Sequence, residues 1–134
     1  MSNYLAVDLG AKRTGLAWCG PAQLIETLRT VGRGELEGEL KRLGRELEIE
    51  CLVFGIPLRR GKIGEAARKV RRVAYALAKA AELPLVFVDE SETTDEARDR
   101  FPEIDKDAAA AALILSRFLA DGEVEPRTGA KGIL

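Results

Sequence analysis

The stretch that most constrains this chain is residues 4–18, Tyr-Leu-Ala-Val-Asp-Leu-Gly-Ala-Lys-Arg-Thr-Gly-Leu-Ala-Trp. An apolar run carries one carboxylate, Asp8, to its end. Gly10 follows, then the basic pair Lys12 and Arg13, then Gly15 and a second apolar run. Two such runs around a glycine-bounded turn predict strands over residues 3–9 and 14–19. A carboxylate at the tip of a buried strand, beside a glycine and two cations, suits a metal ion held against a phosphate. The alternative is an aspartate that only caps a turn.

Gly20 and Pro21 break the chain, and residues 24–31 read as a third strand, with Ile25, Thr27 and Thr30 favouring β structure. The first third is thus an antiparallel meander. A helix opens after Gly34, with Leu36, Leu40, Leu43 and Leu47 at helical spacing and mixed charges elsewhere, the pattern of an ordinary solvated face. Cys51-Leu-Val-Phe-Gly has no alternation, as expected for a strand buried on both faces. A second helix is predicted over residues 63–82, with Ala66, Val70, Val73 and Leu77 inward. Beyond Pro84, Leu-Val-Phe-Val forms another buried strand that ends at Asp89 and Glu90. Thr93-Thr-Asp-Glu fits a capping box before a short helix that Pro102 stops. Residues 108–119 are alanine-rich and apolar nearly all round, a helix packed on the sheet. The resulting order, β-β-β-α-β-α-β-α, predicts an α/β domain over residues 1–121. Its mixed five-stranded sheet has three antiparallel meander strands, two parallel strands and helices on both faces. Residues 122–134 read as a flexible tail.

What is missing narrows the chemistry. The 134 residues include no histidine, which excludes Ser-His-Asp and Cys-His catalysis and histidine acid-base work. No Gly-x-x-x-x-Gly-Lys-Ser/Thr loop is present either. Catalysis would rest on carboxylates, lysine or arginine, hydroxyls and bound metal. Cys19 and Cys51 lie far apart without partners at metal-ligand spacing and read as small apolar residues of a reducing compartment. The start of the chain has no signal-peptide pattern and no apolar stretch is long enough for a bilayer, so the expected location is cytoplasmic, without membrane contact.

Three acids occupy analogous places: Asp8 ends the first strand, Glu90 ends the last, and Asp107 opens the last helix. Strands that neighbour one another in a crossover sheet would bring all three to one end. Clustered carboxylates raise each other's pKa, and divalent cations relieve that cost. An all-oxygen set suits Mg²⁺ or Mn²⁺, and two such ions about 4 Å apart can activate water and stabilise the leaving oxygen of a phosphodiester. Taken singly, Asp107 is also a conventional first-turn acid, and Glu90 a solvated loop residue. Arg59, Arg60, Lys62, Arg68, Lys69, Arg71 and Arg72 gather a third of the 21 cations in one short stretch, with Glu65 the only acid. Although the net charge is only −1, this ridge suits a polyanion lying across the carboxylates.

Val7-Asp-Leu-Gly-Ala-Lys-Arg-Thr-Gly-Leu-Ala resembles the N-terminal signature of the YqgF/RuvX family. Three further blocks match in order: Val53-Phe-Gly-Ile-Pro-Leu; Val88-Asp-Glu-Ser-Glu-Thr-Thr with Glu96-Ala97; and Lys106-Asp followed by the alanine run to Leu115. The resemblance implies a ribonuclease H-like fold and a metal-dependent nuclease for structured RNA, such as the 16S rRNA precursor, or for Holliday junction DNA. It places metal ligation on Asp8, Glu90 and Asp107, and Lys12 and Arg13 near the scissile phosphate. Two features depart from the family pattern: Ser91 stands where arginine usually follows the Asp-Glu pair, and Arg59 and Arg60 replace polar or acidic residues. The loop before Asp107 is also short. Serine lacks the charge and fork of arginine, so a non-catalytic nucleic-acid-binding module is the alternative. An ATPase or sugar-kinase relative would need a second domain for which the chain has no room. Junction cutting would need two sites, leaving monomer and homodimer both open.

Overall fold

The computed structural model describes residues 2–10, 12–90 and 106–122. The first hairpin is formed by β1 (Tyr4–Leu9) and β2 (Arg13–Cys19), in register from Tyr4 opposite Cys19 to Leu9 opposite Thr14. The third meander strand is two short pieces, β3 (Glu26–Thr27) and β4 (Val31–Gly32), both antiparallel to β2. A 3-10 turn (Arg33–Glu35) leads into α1 (Leu36–Glu46). The chain crosses over to β5 (Cys51–Ile56), continues through α2 (Glu65–Ala81) to β6 (Leu85–Asp89), and resumes in α3 (Lys106–Asp121). The sheet order is β3-β2-β1-β5-β6, with β5 parallel to both β1 and β6. This is the mixed α/β sheet expected, with the meander on one side and the crossovers on the other.

Alternation along the strands separates two cores. Leu5 and Val7 of β1 join Leu36, Leu40 and Leu43 of α1 and Ala67, Ala74 and Ala78 of α2 on one face. Ala6 of β1, Ala17, Val53 and Val88 join Ala111, Ala112, Ile114 and Leu115 of α3 on the other. Helix α3 is buried at every position from Ala108 to Leu115. Small side chains there let a helix lie close to a sheet, and that closeness positions the site. On α2 the buried stripe is Ala67, Ala74 and Ala78; of the expected inward residues, Val70 and Leu77 are half-buried against this core, Val73 is half-buried and Ala66 is exposed. With alanines on both candidate stripes, hydrophobicity alone does not set the rotation.

The capping box at Thr93, the short helix before Pro102, Ser91 and the tail from residue 123 lie outside the described residues. Among the described residues no helix is long and apolar enough to cross a membrane.

Candidate active site

The carboxyl ends of β1, β5 and β6 meet at one edge of the sheet. Asp8 is the penultimate residue of β1, and by strand alternation it faces α3, as Ala6 does. Glu90 directly follows β6; its amide donates to the Ile56 carbonyl (3.0 Å), prolonging the parallel ladder by one step. That step keeps Glu90 on the same face as Val88, toward α3. Asp107 is the second residue of α3 and lies near enough to act electrostatically on Asp8.

Two glycines make this convergence possible. Gly15 is the register partner of Asp8 on β2, and a Cβ there would lie 1.9 Å from the backbone oxygen of Asp107. The start of α3 therefore rests directly on bare backbone. Gly55 of β5, on the other flank of Asp8, would place a Cβ 2.6 Å from Glu90 Oε1 and 2.4 Å from Ile114 Cδ1. Without side chains at these two positions, Asp8 sits in a notch just wide enough for the other acids to enter.

The carboxyls of Asp8 and Glu90 share a hydrogen bond. Burial, the bond to Asp8 and the negative charges of Asp8 and Asp89 push Glu90 up to about 9, against a weak opposing pull from Arg117. Burial and the charge of Asp107 also raise Asp8 above the ordinary carboxylate range, although its hydrogen bond to Glu90 opposes this. At neutral pH, then, Glu90 holds the shared proton and donates it to the Asp8 carboxylate. Glu90 Oε1 is buried and has no hydrogen-bond partner among the described residues, an acceptor whose unsatisfied state costs about 1–3 kcal/mol. Among the described residues no three acidic, histidine or cysteine side chains are gathered into a preformed metal cage. What is present is a proton-sharing pair, with Asp107 beside it. An orphaned oxygen, a raised proton affinity and an all-oxygen donor set fit a divalent cation of the Mg²⁺ or Mn²⁺ kind.

The predicted cations lie on the same edge. Lys12 and Arg13 are exposed on the β1–β2 turn, which closes through the Gly10 amide and the Arg13 carbonyl (3.1 Å); the Arg13 guanidinium donates to Thr30 Oγ1 (2.7 Å). Arg59 and Lys62 bond each other's backbone in both directions at 2.9 Å, across Arg60 (φ 54°) and Gly61 (φ 76°). Two successive positive φ values make a two-residue hairpin turn of the I′ kind, which only glycine adopts freely. This hairpin projects Arg59, Arg60 and Lys62, all exposed, just beyond the end of β5. Arg68, Lys69 and Arg72 are exposed along the first half of α2. None of these cations forms an ion pair with a described residue, whereas on α1 Lys41 and Arg42 pair with Glu37, Glu39 and Glu46.

Sequence reasoning missed four contributors. Gly15 and Gly55 were visible as glycines inside strands, a recognised mark of close approach. Arg33 donates to the Gly10 carbonyl (3.1 Å) and pins the turn behind Asp8, while Arg117 of α3 donates to the Asp89 carbonyl (2.9 Å) beside Glu90. Both arginines act across long sequence separations, and no local pattern marks them.

A mixed sheet of this order, with acids at the carboxyl ends of β1 and β6 and in the first turn of the last helix, has the ribonuclease H-like α/β fold. Residues 2–121 match the family model RuvX, described as Holliday junction resolvase, and the chain belongs to that family. Among curated relatives, a protein of Synechococcus elongatus named "Putative pre-16S rRNA nuclease" is 35% identical, with 92% of this chain and 91% of that one covered. A protein of Gloeothece citriformis with the same name is 39% identical over 86% of this chain and 85% of its own. Among solved structures, Thermus thermophilus RuvC in complex with Holliday junction substrate superposes with a TM-score of 0.58 at 13% identity, covering 92% of this chain and 99% of that one. RuvC from the same organism, in a second structure, gives a TM-score of 0.55 at 14% identity, covering 90% of this chain and 97% of that one. At such identities the likeness is one of fold.

Proposed function

We propose that this protein is a divalent-metal-dependent nuclease that hydrolyses phosphodiester bonds of structured nucleic acid. Precursor 16S rRNA is the substrate that the names of its relatives suggest, and junction DNA is the one suggested by the family description. The reading rests on the proton-sharing pair Asp8–Glu90, buried in a glycine notch with an orphaned oxygen and with Asp107 beside it.

Asp8, Glu90 and Asp107 would hold the cation. When bound, such an ion activates a water and neutralises charge on the leaving oxygen. The protein's own contribution is positional. Gly15 fixes the height of Asp107 above the sheet, and Gly55 fixes the approach of Glu90. To ligate a cation Glu90 would release its proton to solvent, because oxygen ligands bind cations in their ionised form. Lys12, Arg13 and the hairpin carrying Arg59, Arg60 and Lys62 hold the phosphate backbone against the notch. Unpaired with any described acid, these charges suit the exchange of counterions for phosphates.

The test is cleavage of a structured RNA carrying the 16S precursor ends, and of a four-way DNA junction, with Mg²⁺ or Mn²⁺. Asp8→Asn is expected to abolish cleavage while leaving nucleic-acid affinity within about twofold, since a neutral isostere removes a ligand without touching the cationic surfaces. Cleavage that persists in this variant and under chelation refutes the site. Tight binding with intact substrate at every metal concentration would instead identify a binding module without chemistry.

A further inference from the structure

The tip of β1 has a second side. Leu9, next to Asp8, points to the opposite face of the sheet and packs toward the α1 and α2 core. There a groove of about 360 Å³ opens between the β1–β2 turn and α2. Its floor is apolar, formed by Leu9, Val70 and Val73, and its rim carries Arg33, Lys69 and Arg72. All three cations are exposed, and no carboxylate among the described residues lines the groove. Arg33 is held in place by its 3.1 Å hydrogen bond to the Gly10 carbonyl, so one side chain joins the groove to the turn that carries the candidate site.

We infer that this groove seats an unpaired segment of the nucleic-acid substrate that leads away from the cleaved bond, an inference that rests on the proposed nuclease reading. A paired helix presents a hydrated sugar–phosphate surface, to which an apolar floor offers nothing. An unpaired nucleotide offers a base face to the aliphatic floor and a phosphate to the cationic rim, so the groove shares the positive charge of single-strand sites while replacing their aromatic platforms with aliphatic contact. The volume lies at the lower end of the range for small-ligand sites, about 300–1,000 Å³. Arg59, Arg60 and Lys62 lie outside the groove, so duplex contact and single-strand contact fall to different cations.

The experiment measures binding of two RNAs by fluorescence anisotropy across a salt series in the presence of chelator: a blunt duplex, and the same duplex with a single-stranded overhang. The proteins are Asp8→Asn and its derivatives bearing Arg33→Ala, Lys69→Ala with Arg72→Ala, or Arg59→Ala with Arg60→Ala. Lys69 and Arg72 are exposed and have no ion-pair partner among the described residues, so their variant tests the groove without disturbing the turn that Arg33 pins. For the overhang RNA, the Lys69/Arg72 variant is expected to lose about 1.4 from the slope of log K against log salt, two contacts at about 0.7 each. Its binding of the blunt duplex stays unchanged, while the Arg59/Arg60 variant weakens both. Equal loss on both RNAs, or no loss on either, overturns the groove. If Asp8→Asn itself binds neither RNA, the nuclease reading fails instead, and the two failures are distinct.

Discussion

Glu90→Gln isolates the central electrostatic claim, because glutamine keeps the shape and the hydrogen-bond donor to Asp8 but has no proton to lose. In the unfolded chain the carboxyl ionises near its ordinary 4.5; in the folded chain it holds its proton to about 9. A carboxyl with a raised folded pKa contributes nothing to pH-dependent stability below 4.5. Above it the unfolded chain releases the proton and the folded chain does not, so stability falls as pH rises and levels off beyond 9. At about 1.4 kcal/mol per pH unit, the 2.5 units from 4.5 to 7 amount to about 3–4 kcal/mol. That is a large share of the about 5–15 kcal/mol that holds a domain together. Urea unfolding in chelator at pH 5, 7 and 8.5 measures it. Glu90→Gln should exceed the wild type by less than about 1 kcal/mol at pH 5, by up to about 3–4 kcal/mol at pH 7, and by more at 8.5. Mg²⁺ should stabilise the wild type increasingly with pH, and the variant much less. A variant whose stability follows the wild type in parallel at all three pH values would refute the assignment of the shared proton to Glu90.

Gly15→Ala is expected to cost about 1–3 kcal/mol or more in urea unfolding, as overpacking does. Its added carbon meets the Asp107 backbone rather than a side chain that could yield; cleavage should fall even where the variant remains folded, and a fully active variant would contradict the notch. Arg59→Ala with Arg60→Ala should lower the salt slope of duplex binding by about 1.4–1.8, at about 0.7–0.9 per lost phosphate contact. Unfolding stability should hardly move, because neither side chain has an ion-pair partner among the described residues.

What the sequence disclosed, and what it withheld, follows from range. The hairpin around Gly10, the buried strands before Gly55 and Glu90, and the alanine-rich helix are local patterns, and each folds where its pattern lies. Asp8, Glu90 and Asp107 were legible as strand-end and helix-start acids for the same reason. The notch was not, since it depends on register: only the pairing of Asp8 with Gly15 shows which glycine stands beneath Asp107. The turn at Arg60 and Gly61 was missed because arginine is an uncommon residue at positive φ, although the glycine after it was a hint. The rotation of α2 was set by packing against Phe87 and the sheet, not by its own hydrophobicity.

One consequence of the strand tip concerns the path of the substrate. Asp8 and Leu9 are neighbours in the chain, yet they open onto opposite sides of the sheet. A polymer cut at the proposed site beside Asp8 and held in the proposed groove beside Leu9 would have to turn around the end of β1. A straight rod cannot follow that route, but a chain with a free joint at the cleaved link can. Selectivity for forks, junctions and unwound ends would then require no reading of bases: the corner itself would reject everything unable to turn.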